Sequence, residues 1–575
     1  MTLDERLAET ADRAWEVVIA AAPLYATQLG DHRFDDRLPP VTPQERAEVL
    51  ARLRSVAADA GAIAAEAGAP DVDPGMATTA AALDAWLAME IAFRESEVAV
   101  WAIDPLEGPQ SGLLNVPSYH PVETVQQGEA MIDRWSAMGP WIDAVRANVG
   151  EALADGLVSP ASPVRRVVDQ LDDLLGRPDE DWPLLDPIRV ERPTWSAAER
   201  QRFADGLSDA VATGVRPAFV RYRELLVDVV LPHARSNESP GLGAVPGGQA
   251  AYASLARAHT TTNLTPAEIH DIGLAEIARI DAELTELAGR TIGAVDLADA
   301  HRRLREDPAL HFETAGQVFD TAVRSLDRAR DAIPDWFGTL PVAPCEVVEM
   351  ARHEAEHSTI AYYREPAADG SRPGRYYINT AHPETRPRYE AEALAFHESI
   401  PGHHLQIAIG QERTDLPTFR RYGGFTAYIE GWGLYTERLS DEMGLYTAEL
   451  DRIGVLSFDG WRAARLVVDT GMHALGWSRD RAIDFMIEHT AIAPNNVGNE
   501  IDRYITWPGQ ALAYKIGQLK ILELRDRAKK TLGDKFDIRA FHDQVIDTGA
   551  LPLDVLDEQI NAWIASQKAG GSAAH

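Results

Sequence analysis

The sequence predicts a mainly helical protein that carries one small β-sheet. Apolar residues recur at three- and four-residue steps through most of the 575-residue chain, as they do on amphipathic helices. Runs of β-branched and aromatic residues bounded by turn residues are confined to residues 345–380. The chain is too long for one compact core, so we expect two or more subdomains.

The first 240 residues are predicted to be helical. Segment Ala77–Val100 has the apolar spacing of an amphipathic helix, and residues 104–121 are rich in Gly and Pro. We interpret that second stretch as an ordered loop that reaches toward a cleft. Further helices are predicted at Pro121–Ala154, Ser162–Leu175 and Ser196–Leu231. Residues 235–250 hold Ser-Pro-Gly and Pro-Gly-Gly sequences, which predict a linker.

Local signals predict the elements that follow. In Thr265-Pro266-Ala267-Glu268 the Thr is a good N-cap, the Pro fits the first turn and the Glu completes a capping box, so a helix starts here. Asp307-Pro308 is a second start signal. Helices are predicted again from Arg388 to Ala565, and residues 566–575 are predicted to be a disordered tail. The predicted strands are Cys345–Met350, Ser358–Tyr363 and Arg375–Asn379.

Composition excludes several classes of function. The net charge of −34 argues against nucleic acid and against an anionic membrane surface as partners. The one cysteine, Cys345, excludes an intrachain disulfide, and its apolar surroundings predict a buried structural thiol. Acidic residues near Met1, with no basic segment before an apolar run, argue against a secretory signal. We find no uncharged apolar stretch near 18 residues, so we expect no membrane helix and a cytoplasmic protein.

The segment His397-Glu398-Ser399-Ile400-Pro401-Gly402-His403-His404 follows a predicted helix and has the residues of a zinc site. Zinc sites on one helix usually place two His four residues apart, but that position is Pro401 here. A straight helix would separate His397 and His403 by about 9 Å. Pro and Gly can bulge the helix and bring His403 back, with His404 as the rival second ligand.

A third ligand is expected on a later helix, because catalytic zinc keeps three protein ligands and one open position. Residues 425–437 offer Glu430 and Glu437, which lie on one helical face. Glu430 is favoured as the ligand, because Gly431 and Gly433 beside it allow another backbone to approach. Glu437 is either an orienting partner of a ligating His or a plain surface charge. Glu398 is then the general base.

The segment around His-Glu-x-x-Pro-Gly-His-His-Leu-Gln resembles the family called domain of unknown function 885 (DUF885). Three further stretches also resemble it, and the match spans roughly residues 240–530. They are His259–His270, Glu430–Tyr435 and Tyr504–Lys515. This family is similar to helical zinc oligopeptidases of the neurolysin and thimet type. The resemblance implies a zincin-like metallopeptidase fold with a deep cleft, one Zn²⁺ per chain, His397, His403 and Glu430 as ligands, and Glu398 as base.

The resemblance also implies roles for residues near the C-terminus. Tyr514 lies where such enzymes keep a tyrosine that stabilises developing negative charge, so it is a candidate catalytic residue. Weaker candidates for the same wall of the cleft are Arg503, Tyr504, Gln510 and Lys515. Asn379 is a candidate substrate contact at the end of a strand that either binds peptide backbone at its edge or is purely structural.

The predicted function is zinc-dependent hydrolysis, most simply of short peptides by a metal-activated water. Zinc chemistry is the same for a non-peptide amide or ester, so such a hydrolase is one alternative, and a non-catalytic peptide-binding scaffold is another. The predicted regions are an N-terminal helical region (1–240), a helical connector forming part of the cleft (241–345), a catalytic region (346–565) and the tail (566–575). Manganese or cobalt could occupy the same site, and the oligomeric state stays open.

Overall fold

The computed structural model describes residues 1–69, 71–350, 355, 359–368, 370 and 372–570. In these residues the chain is mainly helical with one small three-stranded sheet. This confirms the predicted helical class and the predicted small sheet. The deep cleft stays a prediction.

The N-terminal helices pack side by side and join the core of the C-terminal half. Trp86 stacks on Phe419, with 5.4 Å between ring centroids, and one continuous apolar core combines residues 7–89 with residues 312–564. Residues 7–89 of the predicted region 1–240 thus share a core with the C-terminal half. The helices are α1 (Leu3–Ala21), α2 (Pro23–Leu29), α3 (Pro43–Ala67) and α4 (Pro74–Glu95).

One segment, Pro74–Trp101, is long and apolar enough to cross a membrane by length and composition alone. In the fold 39% of its most apolar window is buried, and Leu83, Trp86 and Leu87 of α4 lie in the protein core. Core helices commonly have this composition, so the observation is weak evidence for a membrane span.

A second group of helices has a core of its own between residues 103 and 230. The predicted helix Ser196–Leu231 is confirmed as one continuous helical run from α10 to α12, joined by π-helical turns at Ala210–Val215 and Leu225–Val230. The helices of this part of the chain are α5 (Val98–Trp101), α6 (Pro109–Asn115), α7 (Val125–Ala154), α8 (Ala161–Gly176), α9 (Asp186–Arg189), α10 (Ala197–Asp209), α11 (Arg216–Glu224) and α12 (Leu231–His233). Helix α5 packs in a different apolar cluster, through Val98 and Trp101.

The segment predicted as a linker, residues 235–250, is packed rather than loose. A β-carbon placed on Gly241 would lie 1.8 Å from the carbonyl oxygen of Met472, and the Leu242 amide donates to Nδ1 of His473 at 2.8 Å. The prediction of a linker is therefore wrong here, because glycine in this segment permits close contact with a neighbouring helix rather than flexibility.

The next four helices follow the local signals only in part. Thr265 and Glu268 form the predicted capping box at the start of α14, whereas Asp307-Pro308 starts only a short 3₁₀ turn, and α16 begins after Thr314. The helices are α13 (Gly248–Thr260), α14 (Pro266–Ile292), α15 (Leu297–Glu306) and α16 (Ala315–Ala332).

The sheet consists of β1 (Cys345–Glu349), β2 (Ala361–Arg364) and β3 (Gly374–Ile378) in the order β1-β3-β2. Strand β3 pairs parallel to β1 and antiparallel to β2, so both of its edges are occupied and a substrate backbone cannot add to it. The structural alternative for this strand is the correct one. All three predicted strands occur, although Ser358 lies outside the described residues. Cys345 is buried, as predicted, and burial raises the pKa of its thiol to about 12.

The C-terminal part is helical as predicted. Its last helix reaches Gly570, so residues 566–570 are helical rather than part of a tail, and residues 571–575 lie outside the described residues. The helices are α17 (Ala391–Glu398), α18 (His403–Glu412), α19 (Thr418–Tyr422), α20 (Thr426–Glu442), α21 (Glu449–His473), α22 (Arg479–His489), α23 (Pro494–Thr506), α24 (Ala513–Leu532), α25 (Ile538–Ile546) and α26 (Leu553–Gly570).

Candidate metal centre

A break between two helices brings the two predicted histidine ligands together. Helix α17 ends at Glu398 and α18 begins at His403, so the chain makes two separate helices instead of one bulged helix. The rings of His397 and His403 meet edge to face, with centroids 4.7 Å apart. The indole nitrogen of Trp432 on α20 donates to the Pro401 carbonyl at 3.0 Å and holds the break in place.

Glycine at position 402 permits this close return of the chain. A β-carbon placed there would lie 1.9 Å from the carbonyl oxygen of His397 and 2.4 Å from that of Phe396. Both neighbours are backbone atoms, so no side-chain rotation could relieve the overlap. Gly402 is therefore the residue that allows α18 to start against the end of α17.

Helix α20 supplies the third candidate ligand. Oε2 of Glu430 lies 3.6 Å from Nε2 of His397 and 3.4 Å from Nε2 of His403. Two glycines beside Glu430 permit close contacts, and at Gly431 the contact is with another backbone, as the sequence predicted. A β-carbon on Gly431 would lie 2.4 Å from the Cα of Gly517 on α24, and one on Gly433 would lie 2.8 Å from the His397 ring.

The geometry of this triad fits a tetrahedral divalent metal ion. Its three candidate ligand atoms lie within 4.8 Å of one another. Ligand atoms about 2.0–2.1 Å from a tetrahedral zinc ion are roughly 3.4 Å apart, close to the two distances from Glu430 to the histidines. Two imidazoles and one carboxylate form a common donor set for catalytic zinc, and they leave one coordination position open.

The charges of the triad also favour a cation. Burial alone would lower the pKa of His397, but hydrogen bonds to Glu430 and Glu437 outweigh it and raise that pKa to about 9. Burial would raise the pKa of Glu430, but both histidines hold it well below its usual range. In the metal-free protein a proton on His397 therefore supplies the positive charge that these carboxylates require.

Glu437 orients His397 from the other side of the ring. Its Oε1 accepts a hydrogen bond of 2.8 Å from Nδ1 of His397. When the His397 ring is neutral, this bond keeps its one proton on Nδ1, so the nitrogen that faces Glu430, Nε2, is unprotonated. The side chain of Glu437 is 1% exposed, which excludes the surface-charge alternative. This is the arrangement by which a carboxylate fixes the tautomer of a metal-binding histidine.

His404, the rival second ligand, points elsewhere. Its Nε2 donates to the carbonyl of Ala343 at 3.0 Å, and its Nδ1 accepts from the Tyr363 hydroxyl at 2.9 Å. Burial lowers the pKa of His404 to about 4, so the ring is neutral and both nitrogens are used. Of the two histidines, His403 is the one that faces Glu430.

Two candidate catalytic side chains lie beside the triad. Glu398 directly follows His397, is half-buried, and has no hydrogen-bond partner among the residues that the structure describes. Tyr514 on α24 is also half-buried. Burial and the nearby Glu430 charge raise the pKa of the Tyr514 phenol, while Arg465, Arg503 and a hydrogen bond from Gln510 oppose that shift. The phenol is therefore protonated at neutral pH and available as a donor.

Three of the predicted substrate contacts are buried in structural networks, and that prediction is corrected for them. Asn379 is fully buried, and its amide donates to the carbonyls of Ala355 and Thr359. Lys515 is fully buried in ion pairs with Glu276 and Asp459.

Tyr504 is the third of them. It is 1% exposed, and its hydroxyl donates to Glu500 at 2.7 Å. Arg503 and Gln510 are half-buried and bonded to each other, with Nη1 of the arginine 3.2 Å from Oε1 of the glutamine. These two remain candidate substrate contacts.

The sequence reasoning missed Arg465, whose guanidinium lies 4.5 Å from the centroid of the Tyr514 ring. A signal was present in α21, where nearly every residue from Ile453 to His473 is buried although the segment includes Arg462, Arg465, Asp459 and Asp469. Charged residues inside such an apolar helix need buried partners, and they mark a functional or structural network.

Comparisons with known proteins agree with the family resemblance. The family model described as bacterial protein of unknown function (DUF885) matches residues 23–560, a longer span than the sequence motifs indicated. No functionally curated protein matches the chain.

Seven chains among the solved structures are similar to it, and three of them are described in turn. One, described as the putative lipoprotein from Colwellia psychrerythraea, has a TM-score of 0.90 and 28% identity over 98% of this chain and 100% of its own. A putative lipoprotein of unknown function from Shewanella oneidensis has a TM-score of 0.73 and 16% identity over 96% and 99%. A carboxypeptidase from Pyrococcus furiosus has a TM-score of 0.41 and 12% identity over 98% of each chain.

The first two structures overturn one expectation. Both are described as putative lipoproteins, whereas the sequence predicted a cytoplasmic protein. The cytoplasmic prediction is therefore wrong. It depended on the first residues of the chain and on composition, and neither reports on the location of related proteins.

Proposed function

The chain belongs to the bacterial family of unknown function DUF885, and we propose that it is a zinc-dependent peptidase that cleaves short peptides. The observation that carries the proposal is the convergence of His397, His403 and Glu430, with Glu398 and Tyr514 beside them. The relation to neurolysin and thimet-type oligopeptidases stays a prediction from the sequence.

His397, His403 and Glu430 would hold the metal, and Glu437 would keep the His397 ring in place. A zinc ion bound there supplies a Lewis acid that polarises a carbonyl group and lowers the pKa of water. Glu398 takes a proton from the attacking water and delivers it to the leaving amine. Tyr514 donates a hydrogen bond to the carbonyl oxygen of the scissile bond as negative charge develops on it.

Metal content tests the first step of this proposal. We expect gently purified wild-type protein to hold about one zinc per chain, because three protein ligands around one open position bind a single ion. His397→Ala should hold almost none. Elemental analysis of both proteins measures this. His311→Ala is the matched control, because His311 is half-buried and its side chain bonds only to the Asp307 carbonyl among the residues that the structure describes. A wild type that stays free of metal after zinc is supplied would contradict the proposed site.

Removal of the Tyr514 hydroxyl tests the proposed donor. We expect Tyr514→Phe to lower kcat by about a hundredfold to a thousandfold, as for the loss of one oxyanion donor. KM should change little, because the hydrogen bond strengthens only as charge develops. Steady-state kinetics on one peptide substrate measure both constants. Tyr446→Phe is the control, because it also removes one tyrosine hydroxyl, which donates a hydrogen bond to the backbone carbonyl of Glu437. Equal losses in the two variants would remove Tyr514 from the mechanism.

A further inference from the structure

Two arginines beside Tyr514 share a single carboxylate. Nη2 of Arg503 lies 2.9 Å from Oε2 of Glu500, and Nη2 of Arg465 lies 3.4 Å from the same oxygen. The side chains of Arg465 and Arg503 are only 4% and 11% exposed. Two guanidinium charges and one carboxylate leave an excess positive charge in a place where water is largely excluded, and such a charge is costly unless a further anion balances it.

Arg465 also has a buried donor without a partner. Its Nε donates to the Tyr504 hydroxyl at 2.8 Å, but Nη1 is buried and has no hydrogen-bond partner among the described residues. The guanidinium stacks on the rings of Trp461 and Tyr514, at 4.6 and 4.5 Å from their centroids. The group is therefore held rigidly with one donor unused, as in a preformed anion site.

Other acidic groups nearby do not balance this charge. Burial raises the pKa values of Asp104 and Asp469, and the charge of Arg503 opposes that rise. Neither carboxylate forms an ion pair with Arg503 within the described chain. Asp104 accepts from the Trp507 indole, and Asp469 accepts from Tyr252 and from the Gly509 amide. The carboxylate oxygens of Asp104 and Asp469 thus accept hydrogen bonds from uncharged donors and not from Arg503.

The arginine pair lies on the Tyr514 side of the metal triad. Tyr514 lies on α24, and this helix packs against the neighbour of Glu430, because a β-carbon on Gly431 would lie 2.4 Å from the Cα of Gly517. The Tyr514 ring is in contact with the Arg465 guanidinium. A substrate whose scissile carbonyl met Tyr514 would therefore place its neighbouring residues near Arg465 and Arg503. In a peptide substrate, the anionic group that matches the planar donor geometry of both guanidiniums is a carboxylate.

Building on the proposed peptidase function, we propose that Arg465 and Arg503 bind the free C-terminal carboxylate of the substrate peptide. The protein then removes residues from the carboxyl end and leaves peptides with a blocked C-terminus. A glutamate or aspartate side chain offers the same carboxylate, so the test separates the two sources.

The test compares three N-acetylated peptides of one sequence with the zinc-loaded enzyme. The first has a free C-terminal acid, the second a C-terminal amide, and the third an amide with one internal residue changed to Glu. We expect kcat/KM for the acid to exceed that for either amide by roughly tenfold to a hundredfold, the usual strength of a charge-assisted hydrogen bond. Equal values for acid and amide, or recovery of the rate by the internal Glu, would overturn the inference.

Variants assign the preference to the arginines. Arg503→Met should bring the ratio of acid to amide rates close to one, whereas Arg503→Lys should keep part of it. Arg452→Met is the matched control, because Arg452 lies on the same helix as Arg465 but pairs with Asp441 at the surface. It should keep the wild-type ratio. Circular dichroism and thermal melting show whether each variant is folded, and a folded Arg503→Met with an unchanged ratio would overturn the inference.

A binding measurement keeps this inference separate from the peptidase proposal. Zinc-loaded Glu398→Gln protein is titrated by calorimetry with the acid and the amide peptide. Tighter binding of the acid, lost in the double variant with Arg503→Met, supports the carboxylate site even if the wild type cleaves no peptide. Equal binding of the two peptides overturns it even if the wild type is an active peptidase.

Discussion

Replacing Glu398 by glutamine is expected to lower kcat/KM for peptide cleavage by roughly 10²- to 10⁴-fold while zinc content stays at the wild-type level. Glutamine has the shape of glutamate but accepts no proton at neutral pH, so the attacking water loses its base. The residue is not one of the three side chains that converge on the metal position, so binding of the ion should persist. Cleavage rates on a peptide library and elemental analysis of the same preparation measure both quantities.

The control for this change is Glu384→Gln. Glu384 is 68% exposed and its carboxylate lies 3.6 Å from Nδ1 of the exposed His382, so the variant should match the wild type in rate and zinc content. A fully active Glu398→Gln protein would exclude the residue as the base. An inactive variant that has also lost its zinc would mean that Glu398 contributes to the metal site itself.

Much of the fold was predictable because its signals are local. The capping box at Thr265 depends on residues three positions apart, and the strands of 345–380 depend on residue type within short runs. The linker at 235–250 failed because composition cannot distinguish a flexible glycine from one pressed against a neighbour. Gly241 faces the Met472 carbonyl, more than two hundred residues along the chain.

The candidate metal site could also be predicted only in part from the sequence. The sequence named His397 and Glu430 as candidate ligands from one motif and one later helix, and the fold brings these two side chains together. The sequence did not decide whether His403 or His404 is the second ligand. The residues that bond to His404 are Ala343 and Tyr363, and both come from distant segments of the chain.

The substrate contacts were harder still to predict. The sequence predicts Tyr504 and Lys515 as contacts because they lie near Tyr514 in the chain, but proximity in sequence does not show which side of a helix a residue occupies. In the fold, α21 provides Asp459 as the partner of Lys515, and it provides Arg465, which the motif did not include.

Replacing Gly402 by alanine is expected to damage the metal site without touching a ligand. The added methyl group would lie 1.9 Å from the His397 carbonyl oxygen, so α18 must shift away from α17 and carry His403 with it. We expect the metal-free protein to lose about 3 kcal/mol of stability, the upper end for overpacking. Zinc affinity should fall by roughly tenfold to a hundredfold, as when the groups that orient ligands are changed. Thermal unfolding and zinc titration against a competing chelator measure the two effects.

Gly410→Ala provides the comparison, because Gly410 lies on the same helix and its added methyl group would meet nothing closer than the Gly549 Cα at 3.7 Å. That variant should bind zinc as the wild type does and gain slightly in helix stability, since alanine is the better helix former. If Gly402→Ala behaves like Gly410→Ala, the loop does not set the position of His403. If only Gly402→Ala loses zinc, then His403, six residues after His397 instead of the usual four, reaches the metal position because a glycine lets the second helix start against the first.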